Sequence, residues 1–411
     1  MSTFGKFVLC LTLFAAWHLR STLFAEAPPA PDGDFASRNA SCVALAREAG
    51  VRAEGGTGRN FVISPLSIHG ALAMVTAGAR GDTLRQLLGF LGSSTLNELH
   101  RAAATGLIGR LNGIAQTSFA SGVWVDRLLA LKPEFTATIA SRYNATAESV
   151  DFVSGAEQAR QRVNAFVADA TKQHISEILP PGSVDSFTPI VLANALYFKG
   201  AWPQPFGVST APFHIPGGTT VRVPSMTTSE SQRIAVYPGF RALKLPYKND
   251  VQQQAEFYML ILLPDGETEI ADLYDKAVST PEFIKTHTPA KKVPVGRFMV
   301  PKFKFTSEFE ALSDMRKLGV TAFEGGDFSG MVTGGEGLSI NGVYHKATIE
   351  VDEVGTVAAA ATAIVGFSSA APRAPRDRVD FVADRPFLFA VVEEGTDAIL
   401  FLGHVANPLA R

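Results

Sequence analysis

The sequence is poor in cysteine, in charge and in long apolar runs, and each shortage excludes a class of protein. Its two cysteines are Cys10 and Cys42, and Cys10 lies in an apparent leader, so the mature chain can form no internal disulfide. Charged residues make up 18% and the formal net charge is −2, which gives no electrostatic reason to expect a nucleic-acid partner. Beyond the leader no apolar run has transmembrane length, so we expect no membrane partner either.

Motifs of catalysis and metal binding are also missing. There is no G-x-S-x-G nucleophile motif and no G-x-x-x-x-G-K-S/T phosphate loop. The eight histidines are scattered singly, and no second histidine or cysteine pair stands at metal-ligand spacing. A Ser-His-Asp triad could assemble from distant residues, but the sequence gives no reason to choose one. We therefore expect a protein that is not an enzyme, with no catalytic residue, no metal site and no cofactor.

The N-terminus has the pattern of a secretory signal peptide. Lys6 supplies a basic residue, Phe7–Trp17 is an apolar stretch too short to span a bilayer, and Ala25-Glu26-Ala27 offers a small-x-small cleavage site. The pattern predicts that residues 1–27 are removed and that the protein is secreted to the extracellular space. His18 and Arg20 interrupt the apolar stretch, so an uncleaved anchor or a disordered leader is the alternative.

Two Asn-x-Ser/Thr sequons fit a secretory route. They begin at Asn39 and Asn144, and both are predicted glycosylation sites of a secreted glycoprotein. Such sequons also arise by chance, so they support secretion without establishing it.

Apolar patterning predicts an α+β fold in a single domain, residues 28–411. Hydrophobic residues make up 46% of the chain, enough for a large core. Helix starts are indicated where a capping side chain precedes a periodic stretch, at Ser64-Pro65, Thr95 with Glu98, and Ser154 with Glu157. Strand candidates are the apolar runs 119–125, 189–198, 257–263, 298–305, 338–351, 387–392 and 399–405. Because helices dominate the first half and strands the second, the class is α+β.

A run of very small side chains near the C-terminus has two interpretations. The stretch 358–361 favours a helix, because alanine has the highest helix propensity. In a strand, however, the alternate residues Thr356, Ala358, Ala360 and Thr362 would share one face, and all are small. Such a strand could slide into a packed sheet without a bulky inward side chain. Composition alone leaves both conformations open.

This stretch resembles the hinge of serpins, the serine protease inhibitors with a mobile reactive loop. The resemblance starts at Glu353-Val354-Gly355-Thr356 and continues through the alanine run. Further serpin-like motifs follow in serpin order: N-F-V-I-S-P-L-S-I (60–68), N-A-L-Y-F-K-G-A-W (194–202), P-K-F-K-F (301–305), F-V-A-D-R-P-F-L-F (381–389) and F-L-G-H-V-A-N-P (401–408). Together they span 35–408, and residues 78–92 resemble the plant branch. The resemblance implies a monomer with three β-sheets, eight or nine helices and a reactive-centre loop, about 353–379, exposed above the largest sheet.

The same resemblance implies a suicide-substrate inhibitor of a serine-type endopeptidase, with the cleaved loop inserted into the main sheet and the protease held as an acyl-enzyme. Counting from the hinge glycine at family spacing puts the cut at Ser369–Ala370. Arg373–Ala374, Arg376–Asp377 and a register slip to Phe367 are alternatives. The flanking residues favour an elastase-like or chymotrypsin-like serine protease over a trypsin-like one, and a cysteine protease is less favoured. A non-inhibitory serpin, acting as carrier, chaperone or storage protein, is the competing interpretation.

The resemblance also implies residues that control insertion. The hinge comprises Glu353, Gly355, Thr356, Val357, Ala358, Ala359, Ala360, Ala361 and Thr362. A sheet-opening gate comprises Ser64, Ser67, Asn194 and His345. We expect Asn194 and His345 to hydrogen-bond beneath the central strands. Trp202 is expected where the loop begins to insert, and Glu353 could pair with Lys302 there. Val354 and Val357 stand where the family commonly has Glu, and both are expected to point outward.

Overall fold

The computed structural model describes residues 40–54, 59–106, 114, 116–249, 255–354 and 378–410. Contacts divide the chain into two compact units, Met1–Asp34 and Phe35–Arg411, and every described residue belongs to the second. The expected signal peptide at 1–27 and the sequon at Asn39 therefore lie outside the described residues. Among the helices of this part of the chain, none combines the length and the apolar character of a bilayer-spanning segment.

Nine helices occur in the described residues, in agreement with the eight or nine expected. They are α1 (Ala40–Glu54), α2 (Pro65–Thr76), α3 (Gly81–Phe90), α4 (Leu96–Thr105), α5 (Pro133–Tyr143), α6 (Phe152–Ala170), α7 (Ile270–Ser279), α8 (Phe283–Thr286) and α9 (Leu312–Lys317). Two predicted caps are confirmed. Ser64 Oγ accepts the Ser67 N–H at the start of α2, and Thr95 Oγ1 accepts the Glu98 N–H at the start of α4.

The third predicted cap is wrong. Helix α6 begins at Phe152, and its capping side chain is Asp151, whose Oδ1 accepts the Ser154 N–H at 2.8 Å. Gly155, just after the expected cap, departs from helical geometry with φ −137° and ψ 42°. The chain enters α6 directly from a strand that ends at Val150, so the first available carboxylate takes the capping position.

Sixteen strands of the described residues form three sheets, as expected. We call the five-stranded sheet, whose strand β13 leads into the expected reactive loop, the main sheet. Its order is β12 (Phe303–Glu310), β13 (Gly342–Val351), β4 (Ile190–Phe198), β2 (Thr117–Asp126) and β3 (Thr146–Val150). The seven-stranded sheet has the order β1 (Phe61–Ile63), β16 (Ile399–Val405), β15 (Phe387–Glu393), β9 (Phe257–Pro264), β8 (Phe240–Pro246), β7 (Gln232–Tyr237) and β10 (Lys292–Val293). The third has the order β14 (Val379–Val382), β11 (Val295–Pro301), β6 (Thr220–Thr227) and β5 (Gly207–His214).

The seven-stranded sheet lies between two cores, because successive side chains of a strand point to opposite faces. On β9, Leu260 and Leu262 belong to a core shared with the helices, whereas Ile261 belongs to a core shared with the main sheet. Phe389 of β15 belongs to this second core and lies 5.5 Å, between ring centroids, from Phe303 of the main sheet. The main sheet is thus backed by the buried central strands of a second sheet.

One predicted strand is in fact two. The run 298–305 has the pattern of a single apolar strand, but β11 ends at Pro301 and β12 begins at Phe303, and the two strands belong to different sheets. Between them the Lys302 N–H donates to Pro224 O at 2.8 Å. Because apolar residues continue on both sides of Lys302, the pattern carries no sign of the change of sheet.

We predict that Gly403 in β16 does not tolerate a side chain. A Cβ added there would lie 2.1 Å from the carbonyl oxygen of Phe61 and 2.9 Å from the Phe389 ring. Gly403→Ala should lower the free energy of unfolding by about 1–3 kcal/mol, because backbone atoms of β1 would have to move. Gly89, in α3, is the matched control, since no atom lies within 4 Å of an added Cβ. Gly89→Ala should be neutral or stabilising by up to about 1 kcal/mol. Urea unfolding measures both, and equal midpoints would contradict the steric argument.

Candidate functional site

At the centre of the main sheet, β13 and β4 pair in parallel, from Gly342–Val191 to Ile349–Phe198. Each of the two strands is antiparallel to its other neighbour. Parallel pairing is slightly less stable per residue than antiparallel pairing. We call this pairing the central junction. Strand β13 ends at Val351, so the chain passes from the central junction straight to the expected hinge.

All four residues of the expected gate meet at the central junction. Asn194 and His345 are register partners, and His345 Nδ1 lies 3.2 Å from Asn194 Oδ1. The Ser67 hydroxyl donates to the same Asn194 oxygen. The Ser64 N–H donates to His345 Nε2 at 3.1 Å. The buried N-terminus of α2 is therefore hydrogen-bonded to both strands of the junction.

These hydrogen bonds determine the protonation state of His345. Because Nε2 accepts the Ser64 N–H, the ring proton is on Nδ1 and is donated to Asn194. His345 is buried, with its ring 5.4 Å from that of Phe309 between centroids, and burial lowers its pKa to about 3. The ring is thus neutral at physiological pH. A second proton would put a charge in the core and set two donors, His345 Nε2–H and Ser64 N–H, against each other.

Trp202 contacts the chain where it leaves β13. The indole Nε1–H donates to Asp352 O at 2.6 Å, and the Phe206 N–H donates to Glu353 O at 2.9 Å. Trp202 itself is buried and stacks on Tyr247 with ring centroids 4.6 Å apart. The backbone carbonyls of Asp352 and Glu353, just before the expected hinge glycine, are thus hydrogen-bonded to the aromatic cluster that contains Trp202 and Phe206.

Ion pairs hold the same end of the central junction. Lys302 Nζ lies 2.5 Å from Glu353 Oε2, and this hydrogen bond lowers the pKa of the Glu353 carboxyl below its usual value. Glu350 contacts both Lys199 and Lys304, each at 2.8 Å. Since Lys199 follows β4, Glu350 lies in β13 and Lys304 lies in β12, these contacts join three adjacent strands.

The Glu350 cluster was not predicted from the sequence. Its signal is a single carboxylate between the apolar residues Ile349 and Val351, in a strand whose neighbours are buried. The side chain of Glu350 is 18% exposed, so a cationic partner is needed to offset the loss of hydration. The sequence gives that requirement but not the identity of the two lysines.

Most of the reactive loop lies outside the described residues. This applies to the hinge from Gly355 to Thr362 and to both expected cleavage positions, namely Gly355, Thr356, Val357, Ala358, Ala359, Ala360, Ala361, Thr362, Ser369, Ala370, Arg373 and Ala374. The second sequon is described. Asn144 is exposed and ends α5 in the left-handed conformation, with φ 50° and ψ 41°.

Two other kinds of site, a metal centre and a reactive thiol, find no support in the described part of the chain. There, no group of three or more His, Cys, Asp or Glu side chains is arranged to hold a metal ion. Cys42 is fully buried, and burial raises the pKa of its thiol, which keeps it protonated and unreactive.

Comparisons of the sequence and of the structure with known proteins point to the same family. The sequence profile described as serpin (serine protease inhibitor) matches residues 37–408. A relative from Oryza sativa subsp. japonica named serpin-Z12 is 61% identical over 400 residues, which cover 93% of this chain and 94% of the relative. Serpin-ZX of Arabidopsis thaliana is 39% identical over 363 residues, 85% of this chain and 92% of its own length. A solved structure of Arabidopsis AtSerpin1 in its native stressed conformation superposes with a TM-score of 0.82 at 36% identity, covering 91% of this chain and 98% of that one.

We predict that His345 makes the protein less stable as the pH falls. An unfolded histidine has a pKa near 6.5, whereas burial lowers that of His345 to about 3. Between these values the unfolded state binds a proton that the folded state does not, so stability falls with pH by up to about 1.4 kcal/mol per pH unit. His345→Gln should be less stable at neutral pH but should lose less on acidification.

Urea unfolding of both proteins over this pH range provides the measurement. His100 and His404, whose pKa values burial also lowers to about 4, contribute the same background to the wild type and to the variant. An identical pH slope for the two proteins would mean that His345 does not titrate between the folded and unfolded states.

Proposed function

The chain belongs to the plant branch of the serpin family of serine protease inhibitors, and from that membership we propose that it inhibits its target as a suicide substrate. In this proposal a serine protease cleaves the reactive loop. The freed N-terminal arm inserts into the main sheet before the acyl-enzyme is hydrolysed, and the protease stays covalently attached.

The observation that carries the proposal is the closed central junction leading directly into a hinge. A strand that folds back after Glu353 would run antiparallel to both β13 and β4 if it lay between them. One parallel pairing would thus be replaced by two antiparallel pairings, which are the more stable kind. This topology supports insertion as an energetically downhill step.

The hinge sequence supports insertion as well. Thr356, Ala358, Ala360 and Thr362 would face the interior of the sheet, and their small side chains need little room. A hinge with charged, bulky or proline residues at these positions would favour the alternative, a carrier, chaperone or storage serpin. This hinge has none, which supports inhibition.

The protease would supply the covalent chemistry. Its catalytic serine attacks the carbonyl carbon of the residue before the cut, the new amine leaves with a proton from the catalytic histidine, and an ester remains. We place the cut at Ser369–Ala370, with Arg373–Ala374 as the alternative. Ser369 fits the small primary pocket of an elastase-like enzyme, a shift to Phe367 would fit a chymotrypsin-like one, and Arg373 would fit a trypsin-like one.

We further propose that residues 1–27 are a cleaved signal peptide, that 28–411 form one domain and that the protein acts outside the cell. The exposure of Asn144 supports glycosylation there. N-terminal sequencing and glycosidase treatment of the protein from the native tissue test this. An N-terminus at the initiating methionine with no glycosidase-dependent change in mass would contradict it.

Incubation with elastase, chymotrypsin and trypsin, each in turn, tests the inhibitory function. A covalent complex that survives SDS should form with at least one protease, and the mass of the released C-terminal peptide should identify the bond that is cut. Loop cleavage by every protease without any complex would favour a non-inhibitory serpin.

We predict that a charge at Ala358 abolishes inhibition whereas the same charge at Val357 does not. Neighbouring residues of a strand face opposite sides, so Ala358→Glu would bury a carboxylate and Val357→Glu would not. Ala358→Glu should therefore be cleaved as a substrate, with the stoichiometry of inhibition raised about tenfold or more, and Val357→Glu should behave like the wild type. Titration of protease activity measures both, and equal stoichiometries would contradict strand insertion in this register.

We predict that the Lys302–Glu353 pair slows premature insertion of the loop. Glu353→Lys would set two cations against each other where the pair now lies, and on warming it should form loop–sheet polymers sooner than the wild type. The double variant Glu353→Lys/Lys302→Glu restores opposite charges and is the matched control. Size-exclusion chromatography after heating measures the monomer, and a Glu353→Lys protein that stays as monomeric and active as the wild type would refute the role.

A further inference from the structure

A small depression where the third sheet meets the seven-stranded sheet is lined by three arginines and three carboxylates. Its volume is about 190 Å³, and it lies beside β14, the strand that follows the reactive loop. Arg241 comes from β8, Arg297 from β11, and Arg385 from the segment between β14 and β15. We call it the arginine depression. The carboxylates are those of Asp265, Asp380 and Asp384.

The carboxylates of the depression already accept hydrogen bonds. Asp380 accepts the backbone N–H and the Nε–H of Arg297, both at 2.8 Å. Asp384 accepts the Nε–H of Arg385 at 2.9 Å. Asp265 accepts two backbone N–H groups of its own turn, at 3.1 and 2.9 Å. Their capacity to bind a further cation is therefore reduced.

The guanidinium groups, by contrast, retain unused donors. Arg297 and Arg385 bind their carboxylates through Nε, and no described residue engages the Nη groups of either side chain. The exposed Arg241 side chain forms no hydrogen bond and no close ion pair with a described residue, and its charge acts on Asp380 only at longer range. A surplus of guanidinium N–H groups around a small depression matches a carboxylate, which guanidinium can bind through two parallel hydrogen bonds.

The position of the depression suggests which molecule supplies that carboxylate. At most about 35 Å of extended chain separates Ala370 from Asp380. A stable protein interface covers about 800 Å² on each partner, a patch about 30 Å across. A protease seated on the Ser369–Ala370 bond would therefore cover β14 where the intervening chain spans less than about half of its maximum length, and a cut at Arg373 would bring the protease closer still.

Building on the proposed inhibitory function, we propose that the arginine depression is a secondary docking site for an acidic surface side chain of the target protease, next to the protease subsites that bind the residues after the cut. A depression of this volume admits a single carboxylate side chain. Contacts of this kind act mainly on the rate of association and weaken with salt.

The test uses elastase, chymotrypsin and trypsin whose catalytic serine is replaced by alanine, so that binding is measured without acylation. Arg241→Glu is the test variant, because this side chain has no ion-pair partner to lose. Arg142→Glu is the matched control, an exposed arginine at the end of α5, which packs on α4 and β3 rather than on the third sheet. Surface plasmon resonance at low and high salt gives the association and dissociation rates.

For at least one protease, Arg241→Glu should slow association about three- to tenfold at low salt, with the difference shrinking at high salt and Arg142→Glu close to the wild type. The inference is overturned if no protease distinguishes Arg241→Glu from the wild type, or if Arg142→Glu has an equal effect. If binding depends on Arg241 but no active protease forms an SDS-stable complex, the result would contradict the proposed trapping mechanism and would still support the docking site.

Discussion

The parallel pairing of β13 with β4 is the constraint on which the rest of the molecule depends. It is closed along its length, and beneath it a single hydrogen-bonded chain runs from Ser64 through His345 and Asn194 to Ser67. Each of these four groups is buried, so any one of them left without its partner costs about 1–3 kcal/mol. Parting the two strands therefore also breaks hydrogen bonds of the gate to helix α2, and this gives the closed sheet a barrier to opening.

The middle of the junction and the end of β13 are held by different kinds of interaction. At the gate the contacts are neutral and buried, and they are insensitive to salt. At the end of β13 the contacts are ion pairs of partly exposed side chains, Lys302–Glu353 and Glu350 with its two lysines. Exposed ion pairs contribute little to equilibrium stability, typically below about 1 kcal/mol. In the proposed insertion, however, the new strand would first part the sheet at this position, so these ion pairs would act on the rate of opening more than on the stability of the closed state.

How far the sequence predicted this arrangement depends on the kind of element. Buried strands such as β4 and β9 and the capped helix α2 were predicted, because a continuous apolar run or a Ser-Pro start is a local signal. Strands β5 to β8 and helices α5 and α7 were missed. In β5 and β6 the reason is that polar and apolar residues are mixed without a clean period. The gate residues came from family motifs. Their contacts, like the Glu350 cluster, join residues far apart in the chain, and no local pattern encodes which distant partner a buried polar group will meet.

The reactive loop is anchored unequally at its two ends, and this asymmetry determines what cleavage releases. Before the hinge, Glu353 is held by one ion pair and one backbone hydrogen bond, and Trp202 Nε1–H donates to Asp352 O, all at the end of β13. After the loop, β14 is a strand of the third sheet. It pairs with β11, its Phe381 is fully buried, and Asp380 binds Arg297. If the loop is cut as proposed, the N-terminal arm would therefore be the one free to move, while β14 and the arginine depression beside it would stay in place. A protease that docks on that fixed surface would be pulled away from it only through its ester to the moving arm, so docking speeds the encounter without opposing insertion by more than a few exposed ion pairs.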